Sequence, residues 1–387
     1  MTAVFPARLD VPEEVRRIAE RLEGAGYEAW CVGGSVRDAL LGGRPGGDFD
    51  IATSAHPEQV QALFPRTIAV GIKYGTVGVL DRERRLHEVT TFRHDVTTDG
   101  RHAVVAYGVS LEDDLARRDL TINAIAYHPL RAEWRDPYGG AADLAARLVR
   151  AVGNPADRFR EDYLRILRAL RFAARLDFRI EEATWQAARD HASGLAQLSA
   201  ERVRDEWFKS LRTARSIRRL VELWWESGAA AVRLPELRQA TALDSVRGLE
   251  RLAPEARDPV LLTTVLCDDA ERVLERLRAS NDEIARARAL AELPPEPAGS
   301  DGATVRRWLA RVEPWADDLA RRWELLRGAG AEWRAVVAGI RERGEPTSRR
   351  DLVITGNDLL AAGVPAGPRL GEILDRLLDA VIDDPSL

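Results

Sequence analysis

The strongest constraint on the fold is a change of hydrophobic period along the chain. In roughly the first 150 residues, short runs of apolar and β-branched residues alternate with turn signals, a pattern typical of strands and short helices. From about Asp157 onward, apolar residues recur with the 3.6-residue period of amphipathic helices, and this period continues through nearly all of the remaining chain. The sequence therefore predicts a small α+β head followed by an all-helical remainder.

The same pattern predicts the individual elements. Arg93–Gly108 is polar and weakly periodic, which indicates a long loop. In the head, strands are predicted at Tyr27–Val32, Phe49–Thr53, Thr76–Leu80 and Leu86–Phe92, and helices at Ser35–Leu41 and Pro57–Phe64. Beyond the head, helices are predicted at 157–176, 181–191, 199–212, 215–227, 258–278, 281–292, 301–325, 330–343 and 368–383.

The composition is that of an ordinary globular protein, because 45% of the 387 residues are hydrophobic. Two cysteines, Cys31 and Cys267, are too few for a disulfide framework and suit a reducing compartment. No apolar run approaches the length of about 18 residues that a membrane span needs, and no apolar leader is present. We therefore expect a cytoplasmic protein with no membrane partner. The net charge of −5 does not by itself indicate a nucleic-acid partner, since phosphate contacts need only a local basic surface.

Two glycines, Gly33 and Gly34, stand where a predicted strand meets a helix. Glycine lets the backbone approach a phosphate closely, and the free N–H groups at a helix start favour an anion. Arg37 follows one turn later and adds a permanently charged, forked donor. The segment therefore predicts a triphosphate-binding turn, although a simple tight turn between strand and helix has the same glycines.

Three carboxylates predict a metal site. Asp48 and Asp50 are two residues apart at a strand start, so both side chains point to the same face. Like charges held together are unfavourable unless a cation lies between them, and carboxylate oxygens suit magnesium. If the strand that carries Glu88 is a neighbour, Glu88 completes a site in which metals activate a 3′-hydroxyl and hold pyrophosphate. Each carboxylate is alternatively a solvated acid at a strand edge.

The segments around these residues resemble a known family. The runs GGSVRD, DFDIATSA and HEVTTFR are similar to the head of the class II tRNA nucleotidyltransferases, in the DNA polymerase β superfamily. The run RRDLTINA resembles the second motif of that family. This resemblance implies that Arg118, Asp119 and Asn123 contact the ribose and triphosphate of a nucleotide. By itself, the Arg-Arg-Asp cluster is equally compatible with a surface ion pair.

A helix predicted to include Glu161 carries the most informative polar pair. Asp162 and Arg165 are three residues apart and therefore neighbours on one helix face. An acceptor and a forked donor at fixed separation match the hydrogen-bonding edge of cytosine or adenine, although a routine salt bridge has the same spacing. The run EDYLRILRALRF resembles the base-selecting motif of the family, which favours base selection. Arg168 and Arg171 continue the row toward the triphosphate or the RNA.

The resemblance covers nearly the whole chain and implies four parts. These are a catalytic head with a mixed sheet at 1–148, a base-selecting helical neck at 149–212, a helical body at 213–293 and a tRNA-binding helical tail at 294–387. The implied activity is template-independent addition of CCA to the 3′ end of tRNA. CTP and ATP are the implied substrates, Mg²⁺ the implied cofactor and tRNA the implied partner.

Alternatives to full CCA addition remain open from the sequence. Family members that add only CC lack much of the loop after the third carboxylate, whereas residues 93–115 form a long segment that retains DGR at 99–101. The apolar character of Ala103–Tyr107 leaves open an enzyme that adds only the terminal A. Poly(A) polymerases usually carry basic extensions, whereas this chain ends in DDPSL. A non-catalytic RNA-binding module is disfavoured, because both Asp48 and Asp50 are present.

Overall fold

A computed structural model describes residues 5–43, 49–98 and 103–387 of the chain. The chain forms two compact units, Met1–Pro235 and Glu236–Leu387. The first unit combines a mixed sheet with helices and the second is helical, so the predicted α+β head followed by helices is confirmed. Across the described part of the chain, every helix is too short or too polar to cross a bilayer.

A mixed sheet forms the centre of the first unit. The strands are β1 (Ala29–Val32), β2 (Asp50–Thr53), β3 (Thr67–Gly71), β4 (Thr76–Leu80), β5 (Leu86–Thr91), β6 (Arg93–Thr98), β7 (Ala103–Tyr107), β8 (Ala126–His128), β9 (Glu133–Arg135), β10 (Leu148–Val149) and β11 (Arg179–Ile180). The main sheet has the order β3-β4-β5-β2-β1-β8-β9. Within it β2 and β5 are parallel, and the other neighbours are antiparallel.

Helices cover the sheet and form the rest of the chain. In the first unit they are α1 (Glu13–Gly24), α2 (Gly34–Leu40), α3 (Pro57–Leu63), α4 (Leu111–Ala116), α5 (Gly140–Ala145), α6 (Pro155–Glu161), α7 (Leu164–Leu176), α8 (Glu182–Asp190), α9 (Ala200–Thr213), α10 (Ile217–Glu226) and α11 (Ala229–Arg233). In the second they are α12 (Pro259–Leu266), α13 (Ala270–Arg276), α14 (Asn281–Glu292), α15 (Gly302–Val312), α16 (Ala316–Arg327), α17 (Trp333–Glu342), α18 (Gly356–Ala361) and α19 (Pro368–Asp383).

The two faces of the sheet are covered to different extents. On one face α1 contacts β1 and β2, while α3 contacts β4 and β5. The opposite face is covered over β1, β2 and β8, where Trp30 and Ala52 pack against Leu111 and Leu115 in one apolar cluster. Over β3, β4 and β5 this second face carries exposed side chains such as Glu88. The partial cover leaves an open area of sheet beside the first helices of the all-helical region.

The predicted single helix over 157–176 is wrong, because the chain breaks at Asp162. α6 ends at Glu161, Asp162 is extended, and α7 begins at Leu164. The Asp162 carboxylate accepts the backbone N–H of Leu164 at 3.0 Å, which satisfies one free donor at the start of α7. A short polar acceptor that bonds to nearby backbone competes with helix continuation, so the break occurs at this aspartate.

The predicted loop at 93–108 is also wrong, because β6 and β7 pair as an antiparallel ribbon. The segments on either side of residues 99–102 are rich in β-branched residues, which favour a pleated strand over a loop. Tyr107 fixes the ribbon to the β3–β4 turn: the Cβ that Gly75 lacks would lie 2.8 Å from the Tyr107 ring. The run DGR at 99–101 lies outside the described residues.

The second unit contains more helices than the periodicity predicts. The predicted helix 258–278 is divided into α12 and α13, and Asp269 caps α13 by accepting the N–H of Arg272 at 3.0 Å. The predicted helix 301–325 is divided into α15 and α16 around Pro314, which has no N–H to continue the helical hydrogen bonds. Inside this unit Arg286 joins α14 to Asp258 and to Asp318 of α16 at 2.6–2.7 Å.

Candidate active site

One cavity of about 620 Å³ in the first unit brings together most of the predicted site residues. It lies beside the open part of the sheet and is closed on the other side by residues of α7 and by Arg202 of α9. Asp48 lies outside the described residues. The predicted residues that line the cavity are Gly33, Gly34, Arg37, Asp50, Glu88, Arg118, Asp119, Asn123, Asp162, Arg165 and Arg168.

The charge of the cavity differs from that of the chain. Its lining contains eight arginines against four carboxylates, an excess of four positive charges, whereas the whole chain has a net charge of −5. A cavity whose lining carries an excess of one sign of charge attracts counter-ions of the other sign. This site therefore suits a polyanion such as a triphosphate.

Asp50 and Glu88 lie next to each other on parallel strands. Ile51 of β2 pairs with Val89 of β5, which places the preceding residues side by side about 5 Å apart and on the same face. Both carboxylates are exposed and line the cavity. Two convergent oxygen donors fit a hard divalent cation, which binds through one or two carboxylates and fills its other positions with water and substrate phosphate. Within the described ranges, no third acidic, histidine or cysteine side chain joins them to form a larger ligand group.

The turn between β1 and α2 requires glycine at position 33. Gly33 has φ +77°, a region that L side chains rarely adopt. A Cβ there would lie 3.2 Å from Arg118 Nη1 and 3.6 Å from Asp50 Oδ2. The absence of a side chain therefore lets Arg118 and Asp50 approach the same backbone turn. Arg118 is held in turn by Asp114, which accepts from Arg118 Nη2 at 3.0 Å.

A chain of hydrogen bonds crosses the wall of the cavity from α2 to α7. Arg37 donates to Asn123 Oδ1 at 2.5 Å, and Asn123 Nδ2 donates to Asp119 Oδ1 at 3.0 Å. Arg168 Nε donates to the other oxygen of Asp119 at 2.7 Å. Asp38 accepts from Arg37 Nε at 2.8 Å and from Arg175 Nη2 at 2.9 Å. These residues thus form one fixed polar wall.

Asp119 is ionised within that wall despite being buried. Burial opposes its charge, but the Arg168 guanidinium and the hydrogen bonds from Asn123, Arg168 and the Leu120 N–H outweigh burial and lower the pKa to about 2. For Arg37, only 2% exposed, burial is the larger effect and lowers the pKa, with Asp38 acting against it. Arg37 is therefore a buried cation of the wall, and its neighbours already bind much of its guanidinium.

Asp162 and Arg165 both line the cavity, but they are not the neighbouring pair that a continuous helix predicts. Asp162 Oδ2 accepts from Arg202 Nη2 of α9 at 2.7 Å. Arg165 donates to Glu161 at 2.7 Å and to the backbone oxygen of Arg117 at 3.0 Å. The break before α7 therefore gives each side chain its own anchor, and both remain at the cavity as a separate acceptor and donor.

Arg171 does not reach the cavity. Its side chain is buried and forms an ion pair with Glu206 of α9, and its guanidinium lies 4.3 Å from the centre of the Phe172 ring. Three residues before it on α7, Arg168 does line the cavity. The 3.6-residue helical period explains the difference, since a row of residues spaced by three rotates steadily around the helix.

Some residues of the wall were missed by the sequence prediction. Arg202 lies near the start of the helix predicted at 199–212, but no role in the site was predicted for it. No local pattern indicates Arg175 or the hydrogen bond of 3.0 Å between the hydroxyls of Thr76 and Thr90. Further lining residues without a predicted role are Arg93, Arg117, Leu164 and Phe172.

The sequence resembles known families and a curated relative along most of its length. Residues 29–150 match the family described as poly A polymerase head domain, 177–241 match an RNA- and SrmB-binding site of polymerase A, and 337–385 match domain 2 of tRNA nucleotidyltransferases. The CCA-adding enzyme of Streptococcus gordonii is 36% identical over 386 residues, covering 96% of this chain and 93% of the relative.

Solved structures show the same relationship. The crystal structure of the Bacillus stearothermophilus CCA-adding enzyme in complex with CTP has 33% identity and a TM-score of 0.82, covering 96% of this chain and 92% of that one. The Thermotoga maritima CCA-adding enzyme complexed with tRNA shares the fold at 21% identity and a TM-score of 0.63. The family is metal-dependent in general. With its mixed head, its cationic cavity beside paired carboxylates and this match over almost its full length, the chain belongs to the class II tRNA nucleotidyltransferases, the family of the CCA-adding enzymes.

Proposed function

We propose that this chain adds the CCA end to tRNA from CTP and ATP, with release of pyrophosphate. The observation that carries the proposal is the location of Asp50 and Glu88 in the same cationic cavity as Asp162 and Arg165. Carboxylates beside a polyanion site suit nucleotidyl transfer, while a fixed acceptor and donor suit selection of a base without a nucleic-acid template. The names of the relatives, CCA-adding enzymes, support the same reaction.

We propose Mg²⁺ as the cofactor, held by Asp48 and Asp50. When bound, the ion lowers the pKa of the attacking 3′-hydroxyl and neutralises charge on the leaving pyrophosphate. Glu88, adjacent to Asp50, assists by accepting a hydrogen bond or the proton from that hydroxyl. These roles require only oxygen donors on one sheet face, which the neighbouring strand positions supply.

The arginine side of the cavity binds the nucleotide in this proposal. Arg118 points toward the Gly33–Gly34 turn, and its buried Nε has no hydrogen-bond partner among the described residues, so a phosphate oxygen satisfies it. Arg168 contributes charge, while Asn123 and Asp119 hold the wall in place and contact the ribose. Asp162 and Arg165 read the base edge.

We also propose the division of labour along the chain. The neck at 149–212 completes the nucleotide site, the body at 213–293 follows it, and the tail at 294–387 binds the tRNA. A cytoplasmic location is in line with two buried, free cysteine thiols, which suit a reducing compartment.

Three tRNA transcripts test the proposed function. They end before CCA, after the first C and after CC, and each is incubated with the protein, Mg²⁺ and CTP, ATP or both. We expect all three to be completed to CCA and no further, with product lengths read on a sequencing gel. Extension of the CC-ended transcript alone would identify an enzyme that adds only the terminal A. Arrest of all products after CC would identify an enzyme that adds only CC. Long A tails would indicate a poly(A) polymerase, and the absence of any incorporation would indicate a non-catalytic RNA-binding module.

Replacing Asp162 with alanine is expected to weaken base choice. The change removes the acceptor at the cavity and the ion pair with Arg202, so CTP and UTP become harder to distinguish. A hydrogen bond to a charged group contributes about 1.5–3 kcal/mol, so we expect the preference for CTP over UTP to fall roughly tenfold or more. The measurement is single-nucleotide incorporation into the transcript that lacks CCA.

Asp157→Ala is the matched control for this variant. Asp157 pairs with Arg160 at 2.6 Å, both side chains are exposed on α6, and Asp157 does not line the cavity. Equal discrimination in Asp162→Ala and in the wild-type protein would show that Asp162 does not select the base.

A further inference from the structure

The open face of the sheet continues past Glu88 into an apolar surface. On β5 the residues that share a face with Glu88 are Leu86 and Thr90, two positions away on either side. Their partners on β4 are Gly78 for Glu88, Leu80 for Leu86 and Thr76 for Thr90. The side toward Thr90 is polar, since the Thr76 and Thr90 hydroxyls bond to each other. The side toward Leu86 is aliphatic.

Three aliphatic side chains form this surface, which we call the aliphatic platform: Ile68, Val70 and Leu86. Their exposed fractions are 47%, 44% and 38%. A Cβ at Gly78 would lie 2.5 Å from Leu86 Cδ1 and 2.7 Å from Val70 Cγ2, so these two side chains meet above Gly78. Apolar surface grouped in this way beside a reactive carboxylate indicates a contact surface rather than scattered exposure.

Cations border the platform on the side away from the catalytic carboxylates. The β4–β5 turn carries Arg82 and Arg84, which are exposed and form no ion pair with any described residue. By contrast, Arg85 in the same turn is paired with Asp81 at 2.9 Å. From the β4–β5 turn into β5, the order is therefore exposed arginines, an aliphatic surface and then Glu88. A 3′-terminal nucleotide offers a matching set of groups: a phosphate for the arginines, an apolar base face for the aliphatic surface and a 3′-hydroxyl for the carboxylates.

We propose that the aliphatic platform binds the nucleobase of the 3′-terminal nucleotide of the RNA that is being extended. This rests on the proposed function, which requires that the 3′-hydroxyl lie at Asp50 and Glu88. The base then lies two residues along β5 from the hydroxyl, the distance between Glu88 and Leu86, roughly 6–7 Å. Apolar side chains pack against the flat face of any base, so the platform holds C and A alike.

The platform would therefore bind the 3′ end of the growing RNA whichever base is at that end. After each addition a new terminal base, C or A, has to occupy the same position before the next transfer. A surface that offered hydrogen bonds would discriminate between them, whereas an aliphatic surface contacts only the face. Arg82 and Arg84 then attract the phosphates that precede the terminal nucleotide.

A neutral double variant, Leu86→Gln with Val70→Thr, tests the platform. Both changes retain size and add no charge, so a loss reports apolar contact and not repulsion of phosphate. We expect kcat/KM for a CC-ended RNA to fall about tenfold, since the apolar contact between two side chains and the base is lost. The affinity for CTP, measured without RNA, should be unchanged, because the platform lies outside the nucleotide wall. Leu41→Gln, which changes another side chain of 43% exposure in the same unit, should match the wild type.

An RNA whose 3′-terminal nucleotide lacks its base makes the test specific. With this substrate the wild type should lose about tenfold in kcat/KM, and the double variant should lose less than about twofold more, because the contact is already absent. Full additivity of the two changes would overturn the proposal. If the double variant unfolds, Val70→Thr alone is compared in the same way.

Other outcomes also decide the question. A wild-type protein that extends no RNA would overturn the proposed function and the platform together. A wild type that extends RNA, with a double variant equal to it, would overturn the platform alone. A change of oligomeric state in the variant, measured by sedimentation, would assign the surface to a second copy of the chain.

Discussion

We expect the replacement of Asp50 with alanine to abolish nucleotide incorporation, lowering kcat by about a thousandfold or more, and to leave the protein folded. Charge stabilisation by a bound metal contributes several kcal/mol to the transition state, which corresponds to about this factor. Asp50 is exposed at the start of β2, whereas the following Ile51 and Ala52 are buried in the sheet. The substitution therefore removes the proposed metal ligand without removing core packing.

Glu20→Ala is the matched control for Asp50→Ala, because Glu20 is an exposed carboxylate on α1 outside the cavity. Incorporation into the CC-ended transcript is measured at several Mg²⁺ concentrations, together with the thermal unfolding midpoint. We expect both variants to unfold near the wild-type midpoint and only Asp50→Ala to be inactive. Turnover by Asp50→Ala at saturating metal would contradict the ligand role of this residue.

Asp119→Asn is expected to destabilise the first unit by about 2 kcal/mol at neutral pH. Asp119 accepts from Asn123, Arg168 and the Leu120 N–H, and its pKa falls from 3.8 to about 2 on folding. A depression of this size corresponds to about 2 kcal/mol favouring the folded state. The amide keeps the shape of the side chain but removes the charge that opposes Arg168.

The pH dependence of this effect follows from the direction of the shift. Because the folded-state pKa is the lower one, the stabilisation is fully present above pH 3.8 and is lost as the pH falls toward 2. Urea unfolding of wild type and Asp119→Asn between pH 7 and the acid limit should therefore give curves that converge below about pH 4. Nucleotide affinity should also fall, because Arg168 loses its anchor.

Asp190→Asn provides the reference for this measurement, since Asp190 is exposed on the last turn of α8. Its removal should change the free energy of unfolding by less than about 0.5 kcal/mol. If Asp119→Asn is as stable as the wild type at pH 7, the wall from Arg37 to Arg168 is not held by this carboxylate. A destabilisation that persists unchanged at pH 2 would indicate lost packing instead of lost charge.

Local sequence was sufficient to predict the site wherever one short segment sets the geometry. The Gly33–Gly34 turn follows from glycine at the junction of a strand and a helix, and positive φ at Gly33 is the physical reason. The alternation in β2 and β5 predicted which residues face together, and the parallel register then put Asp50 beside Glu88. Motif resemblance added Arg118, Asp119 and Asn123, whose roles the spacing alone left open.

The sequence failed where the outcome depends on a partner distant along the chain. Periodicity continues through residues 157–176, yet Asp162 ends the helix there and pairs with Arg202, which lies 40 residues later. Arg171 follows Arg168 at the same three-residue spacing, but its side chain is buried in an ion pair with Glu206 of α9. The weak periodicity at 93–108 did not predict the β-ribbon there. Each strand of a ribbon is stabilised by pairing with the other, and neither strand shows this pairing in its own sequence.

The sequence by itself determined the α+β head, the helical remainder and the chemical types of the site residues, since these depend on periodicity and on short motifs. Only the tertiary structure decided which cations face the cavity, which carboxylates are already paired, and which part of the sheet stays uncovered. The physical reason is that burial and ion pairing are properties of contacts between segments. No single segment contains both members of the pairs Asp119–Arg168 or Asp162–Arg202, so neither pair is encoded in a local pattern.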